Sequence, residues 1–147
     1  MNATFRSKAP RLFGVLMKEY GLKPFQTAGI VGNGGYESNG FTELHEAGQP
    51  PGRGGYGWFQ WTGPRRQNFL NWCMSHHLDW KSDVANMSFL VYELDGPYHY
   101  VIRALAKTTS VDEASDVFEK LFEAAGVPAL EKRRVWSQAA LGLATGG

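Results

Sequence analysis

Apolar residues recur at helical spacing through most of the chain. Between Arg11 and Tyr20 they fall three and four positions apart, the pattern of one buried helical face, and Gly21 supplies a stop. A second helix is predicted from Phe25 to about Glu37. Further helices are predicted from residue 63, after a serine cap at residue 82, over residues 101–105, after a capping box at residues 110–113, and over residues 129–143.

The apolar stripe of the predicted fourth helix consists of four residues: Val84, Met87, Val91 and Leu94. Between residues 40 and 63 the helical period disappears, and turn residues lead into an aromatic segment that favours a short β-hairpin or extended tongue. Strand alternation there would place Trp58, Gln60 and Thr62 on one face and Phe59 and Trp61 on the other. The predicted fold class is therefore mainly α (α+β), a single helical domain with one β-like excursion between its second and third helices.

The predicted second helix is unusually rich in glycine. It contains Gly29, Gly32, Gly34 and Gly35, and each glycine costs about 1 kcal/mol of helix stability relative to alanine. A helix without side chains along one stripe lets another backbone or a ligand come close. We therefore expect close packing against this stripe.

Composition narrows the functional classes. A chain of 147 residues with 43% hydrophobic and 20% charged residues fits one globular domain over residues 1–147. A formal net charge of +1 gives no support for binding nucleic acid. Cys73 is the only cysteine, so no intrachain disulfide can form. The adjacent His76 and His77, with His45 and His99 far off in sequence, do not show the spacing of known metal ligands, so no metal or cofactor is expected.

Glu37 is the candidate catalytic residue. Cleavage of a glycosidic bond needs a carboxylic acid that keeps its proton near neutral pH, and partial burial beside apolar groups favours the neutral form. Glu37 ends the glycine-rich helix, follows Tyr36 and precedes a turn. By position alone, a solvated surface charge is the alternative interpretation.

Two longer stretches strengthen this interpretation. Residues 29–41 (GIVGNGGYESNGF) and 54–66 (GGYGWFQWTGPRR), read together, resemble the phage tail lysozyme family of the lysozyme-like superfamily. Residues 89–94 (FLVYEL) and 118–123 (FEKLFE) look like the downstream helices of that family, so the resemblance covers most of the chain. It implies the lysozyme-like fold, peptidoglycan as the substrate, and Glu37 in the position of the catalytic acid.

The second carboxylate is less clearly marked. Glu46 lies nine residues after Glu37, a separation similar to that in small inverting phage lysozymes, which have Asp there with Thr shortly afterwards. Glu43 is the rival for this role, and a solvated loop carboxylate is the alternative for both. If Glu37 works alone, the reaction is a lytic transglycosylation, in which a hydroxyl of the sugar attacks and an anhydro end forms.

Tyr56, Gln60, Trp61 and Thr62 are the candidate substrate-binding residues. Aromatic faces stack on pyranose rings, while an amide and a hydroxyl bind sugar hydroxyl and acetamido groups. Core packing is the alternative for Trp61. The predicted function is a phage-encoded muramidase that cleaves between N-acetylmuramic acid and N-acetylglucosamine. A non-catalytic peptidoglycan-binding or chitin-binding module and a structural tail component stay open.

The chain shows no secretory signal and no apolar run long enough to span a bilayer. We therefore expect synthesis in the host cytoplasm and no membrane partner. Peptidoglycan is the expected partner, reached by a monomer after holin release or by a component of a virion tail assembly.

Overall fold

The computed structural model describes residues 1–146 and is built almost entirely from helices. Seven α-helices and one π-helix occupy this part of the chain, in the following order: α1 (Ala3–Tyr20), α2 (Pro24–Glu37), α3 (Gly63–Ser75), α4 (Asp83–Asp95), α5 (His99–Leu105), α6 (Val111–Phe118), the π-helix (Glu119–Glu123) and α7 (Leu130–Ala144). The mainly α prediction is confirmed. Gly147, the last residue of the predicted domain, lies outside the described residues.

The helix ends follow from local capping chemistry. Gly21 adopts a left-handed φ of 62° directly after α1, as its predicted stop requires. The side chains of Ser82 and Ser110 accept backbone N–H groups from the first turns of α4 and α6. Helix α1 begins earlier than its apolar pattern indicated, because the Asn2 side chain accepts the N–H of Phe5 at 2.8 Å.

Helix α2 is the central helix, with α1, α6 and α7 packed around it and residues 26–35 all buried. A Cβ atom added to Gly29 would lie 2.7 Å from the carbonyl carbon of Ala114 in α6. One added to Gly32 would overlap Ser137 in α7. The expected close packing on the glycine stripe is therefore confirmed, and it sets the position of the end of α2.

The predicted hairpin is wrong. Residues 40–62 contain only two isolated bridges, His45 with Tyr56 and Tyr56 with Trp61. The backbone groups of Tyr56 and Trp61 exchange hydrogen bonds of 3.0 and 2.9 Å and close a tight turn, inside which Gly57 and Gln60 both have positive φ. Left-handed residues interrupt strand geometry. The predicted alternation fails with the hairpin, since the adjacent Trp58 and Phe59 are both buried.

The predicted stripe of α4 is also partly wrong, since Val84 is 49% exposed. The buried face of α4 instead includes Asn86 and Glu93. The amide oxygen of Asn86 accepts the backbone N–H of Trp58 at 2.8 Å, which anchors the tight turn to α4. A hydrophobic pattern cannot identify a face that buries hydrogen-bonded polar side chains.

Over residues 1–146, none of the helices combines the length and the apolar character that crossing a membrane requires.

Candidate active site

Glu37 is the last residue of α2, and its side chain is 16% exposed. The turn that follows is held by Ser38, whose hydroxyl donates to the Gly34 carbonyl at 2.8 Å and accepts the N–H of Phe41 at 3.0 Å. Buried aromatic rings pack against this end of the helix. A Cβ atom added to Gly34 would lie only 2.8 Å from the ring of Phe59. The carboxyl group of Glu37 is therefore held at the boundary between the core and solvent.

Arg133 of α7 holds the Glu37 carboxyl group from the inner side. Its guanidinium donates to Glu37 Oε2 at 2.8 Å, although the arginine side chain is only 2% exposed. The same guanidinium donates to Asn33 Oδ1 at 3.0 Å and to the Pro128 carbonyl at 2.6 Å, and it lies 4.5 Å from the centre of the Tyr36 ring. Each of its nitrogens has a partner, so the orientation of Arg133 is fixed.

Asn33 connects this arginine to the helix core. Its amide donates to the Gly29 carbonyl at 2.7 Å within α2 and to the Ser115 carbonyl at 3.1 Å in α6. The amide oxygen is thereby turned toward Arg133. Three helices thus contribute to the position of the Glu37 carboxyl group.

The π-helix brings two more carboxyl groups to this place. The side chain of Glu123 lies against that of Glu37, and its Oε1 atom is buried with no hydrogen-bond partner among the described residues. Glu119 is 5% exposed and accepts the N–H of Ala125 at 2.9 Å. Single π-helical turns occur often at functional sites.

Four non-glycine residues with positive φ lie beside these groups. Asn39 and Phe41 follow Glu37, Ala124 follows Glu123, and Ala129 precedes α7. Left-handed backbone is costly for such residues and persists only where the surrounding structure enforces it. Each of the three chain segments that form the site therefore has at least one residue with a strained backbone next to the carboxyl groups.

The electrostatics favour a retained proton on the cluster. Burial raises the pKa of Glu37, the charge and hydrogen bond of Arg133 lower it, and the balance leaves the pKa above its ordinary value. Burial and then the negative charge of Glu37 raise the pKa of Glu123 well above its ordinary value. A carboxyl group that is partly open to solvent and has a raised pKa is suited to general acid catalysis.

A second, partly buried ion pair lies nearby. Arg65 of α3 donates to both carboxylate oxygens of Glu93, at 2.9 and 2.7 Å, and the indole N–H of Trp61 donates to one of them at 2.7 Å. The Arg65 guanidinium also donates to the Phe122 carbonyl at 2.7 Å and lies 4.1 Å from the centre of the Tyr98 ring. This pair joins α3, α4 and the residue before Glu123.

The two predicted helper carboxylates lie in the exposed loop after α2. Glu46 Oε1 accepts the N–H of Gly55 at 3.1 Å, which ties the carboxylate to its own loop. The backbone N–H of Glu43 donates to the Ser38 carbonyl at 2.8 Å, so Glu43 is held close to the end of α2. Their roles in catalysis stay predictions.

The predicted substrate-binding residues divide into two groups. Tyr56 and Trp61 are 8% and 2% exposed, and both pack in the core. Gln60 is half-buried and donates to the Glu43 carbonyl at 3.2 Å, which brings it to the loop beside the end of α2. Thr62 is exposed. Sugar contact by these four residues stays a prediction, and the exposed surface favours Gln60 and Thr62.

Sequence reasoning missed Arg133, Asn33 and Glu123. A signal was present in residues 118–123, because Glu119 and Glu123 each follow a buried phenylalanine, which places carboxyl groups at the edge of an apolar face. Arg133 offered a similar signal, since it is four residues before the buried Ser137 on one face of α7. Pairing between these elements depends on tertiary packing.

Within residues 1–146, no group of three or more histidine, cysteine, aspartate or glutamate side chains is arranged to hold a metal ion.

The fold and the site together define a mainly helical domain with a carboxyl group suited to general acid catalysis. The family described as phage tail lysozyme matches residues 7–143. The chain belongs to the phage tail lysozyme family, as the two linked motifs predicted, and this membership indicates a phage peptidoglycan hydrolase. A comparison with curated proteins gave no match.

Proposed function

We propose that the protein is a muramidase that cleaves the bond between N-acetylmuramic acid and N-acetylglucosamine in peptidoglycan, with Glu37 as its general acid. The observation that carries this proposal is the Glu37 carboxyl group at the end of α2, 16% exposed and with a raised pKa. Family membership supplies the substrate class. The acid supplies the proton that the leaving oxygen needs.

In this mechanism Glu37 gives its proton to the glycosidic oxygen as the bond from that oxygen to the anomeric carbon breaks. The carboxylate formed is stabilised by the hydrogen bond from Arg133. Water adds to the anomeric carbon and releases a proton to solvent, and Glu37 regains a proton from solvent. Arg133 therefore holds the acid in position and stabilises it after the transfer.

Glu46 is the proposed helper that activates this water, with Glu43 as its rival. Both lie in the loop after α2, and the backbone of Glu43 is bound to Ser38 next to the acid. Gln60 and Thr62 are proposed to orient the sugar, supported by their accessibility beside this loop. Tyr56 and Trp61 would then act through the shape of the tight turn that presents Gln60.

The proposed place of action is the bacterial cell wall, reached by release from the host cytoplasm through a holin or on a virion. A search for the chain in purified virions distinguishes these two routes.

Replacement of Glu37 by glutamine tests the proposal. We expect lysis of purified peptidoglycan to fall by about 10²- to 10⁴-fold, the usual contribution of a general acid, because an amide cannot donate the proton. The hydrogen bond to Arg133 is retained by the amide oxygen, so the circular dichroism spectrum and melting temperature should change little. Glu19→Gln, at an exposed carboxyl of α1, is the charge-matched control.

Mass spectrometry of the products identifies the reaction. New reducing ends at N-acetylmuramic acid would support hydrolysis by a muramidase. Anhydro ends would show instead that the reaction is a transglycosylation with the same acid. Retained lysis in folded Glu37→Gln would defeat the assignment of the acid. Binding of wall sugars by the wild-type protein with no new ends would instead indicate a binding module.

A further inference from the structure

Glu123 is a carboxyl group that the mechanism above does not use. Its Oε1 atom is buried with no hydrogen-bond partner among residues 1–146, and its side chain contacts that of Glu37. Two ionised carboxylates cannot donate to each other, and their contact is repulsive. The contact becomes favourable when one proton lies between the two groups.

The charges around this contact also require a proton. The site has one cation bound to Glu37, the guanidinium of Arg133. It has three carboxyl groups, those of Glu37, Glu119 and Glu123. Glu119 already accepts a backbone N–H from Ala125. One guanidinium does not neutralise the remaining two partly buried carboxylates, and burial makes an unpaired charge costly.

Within residues 1–146, the other elements supply no further free cation to the pair. The charged and titratable groups that act on Glu123 from packed elements are Arg65 of α3, Glu93 of α4 and, before α5, Tyr98. The Arg65 guanidinium is engaged by both oxygens of Glu93. The charge of Arg65 therefore lowers the pKa of Glu123 by less than burial and the charge of Glu37 raise it.

We propose that Glu37 and Glu123 share one proton, and that Glu123 is a positioning residue that keeps this proton available to Glu37 although Arg133 favours the ionised acid. The buried Oε1 atom of Glu123 does not reach solvent. Loss of the proton would leave two carboxylates in contact, and this cost holds the proton on the pair. The inference rests on the proposed role of Glu37 as the acid.

The π-helix explains how this contact arises. It ends at Glu123, and the N–H of Ala124 donates to the Glu119 carbonyl at 2.6 Å, five residues back. Ala124 then adopts a left-handed φ of 46°. The widened turn therefore places Glu123 as the last helical residue, where its side chain meets the end of α2.

Glu123→Gln tests the shared proton. The amide donates a hydrogen bond to ionised Glu37 and removes the neighbouring charge, so Glu37 should lose its proton at lower pH. We expect the alkaline limb of the pH profile of peptidoglycan lysis to move down by about one pH unit or more. Glu19→Gln should leave the limb in place, and an unmoved limb in Glu123→Gln would overturn the proposal.

Thermal stability gives a readout independent of lysis. Because the pKa of each carboxyl group is raised in the folded protein, the contribution of the pair to stability is fully present below the ordinary carboxyl pKa and is lost as the pH rises through the raised values. The melting temperature of the wild-type protein should therefore fall over this range, and that of Glu123→Gln should fall less. Equal pH slopes would contradict the shared proton.

Carbon-13 titration of the glutamate carboxyl groups in the wild-type protein covers the case in which Glu123→Gln fails to fold. The chemical shifts of the Glu37 and Glu123 carboxyl carbons should change together, over a pH range above that in which the exposed glutamates titrate. Separate titrations within the ordinary range would overturn the proposal. If the two titrate together but Glu37→Gln retains lysis, the shared proton stands and the proposed function fails.

Discussion

Two arginine–glutamate pairs lie side by side in this domain, each with one buried and one partly buried side chain, and they are built differently. At the first, both oxygens of Glu93 accept hydrogen bonds from Arg65, and Trp61 adds a third donor. At the second, Arg133 binds one oxygen of Glu37, and the carboxyl group is also in contact with Glu123. The first pair balances one charge with another, whereas the second has more carboxyl groups than cations.

The difference fits a structural role for the Arg65–Glu93 pair and the reactive role proposed for the Arg133–Glu37 pair. Burial alone lowers the pKa of Arg65, and the hydrogen bond and charge of Glu93 more than offset this, so both charges are held. Around Glu37, burial outweighs Arg133 and the pKa lies above its ordinary value. Incomplete neutralisation and a side chain that reaches solvent therefore support the acid role proposed for Glu37.

The largest expected loss of stability comes from breaking the balanced pair. Arg65→Met should lower the free energy of unfolding by about 3–5 kcal/mol, because it leaves Glu93 buried without its cation. Urea denaturation measures this loss. Arg66→Met, at the next position, is the matched control, since Arg66 donates to the Gly54 carbonyl at 3.1 Å and takes no part in the pair. Equal losses in the two variants would show that the pair is not the source.

The sequence predicted most of the helices because their ends carry local signals. The left-handed glycine after α1 and the serine caps of α4 and α6 act within a few residues, so no tertiary information is needed. The segment between α2 and α3 was misread as a hairpin because aromatic residues favour strands on average. There, Gly57 and Gln60 adopt positive φ and the bulky rings enter the core in one tight turn.

The site was predictable only in part. Glu37 followed from its motif and its place at the end of a glycine-rich helix. Arg133 lies almost a hundred positions away in sequence and meets Glu37 through the packing of α7 on α2. Glu123 reaches the site through a π-helical turn, and hydrophobic periodicity carries no sign of such a turn. Long-range contacts between polar groups were therefore the missing information.

A smaller loss is expected when the unbalanced pair is broken. Arg133→Met should cost about 1–3 kcal/mol, because Asn33 Oδ1 and the Pro128 carbonyl lose their donor. The cost stays below that of Arg65→Met because Glu37 can remain protonated and neutral. The pKa of Glu37 should rise further without the lowering effect of Arg133, so the alkaline limb of lysis should move to higher pH.

Arg134→Met is the matched control for this change. Arg134 is the next residue of α7 and pairs with Asp116 in α6, outside the carboxyl cluster. It should leave the alkaline limb where it is in the wild-type protein. A shift of the limb to lower pH in Arg133→Met, or a loss of stability as large as that of Arg65→Met, would contradict the distinction between the two pairs.

The smallest effect on stability is expected at Glu46, which belongs to neither pair. Its carboxylate is exposed and binds only loop groups, Gly55 at 3.1 Å and Gln49 at 3.4 Å, so Glu46→Gln should change the free energy of unfolding by less than about 0.5 kcal/mol. If Glu46 activates the attacking water, lysis should still fall by about 10²-fold or more. Glu43→Gln is the parallel variant. If folded Glu46→Gln lyses peptidoglycan fully and Glu43→Gln does not, the role of activating water passes to Glu43. In either case the helper would be an exposed carboxylate, unlike the proposed acid Glu37, which is partly buried and incompletely neutralised.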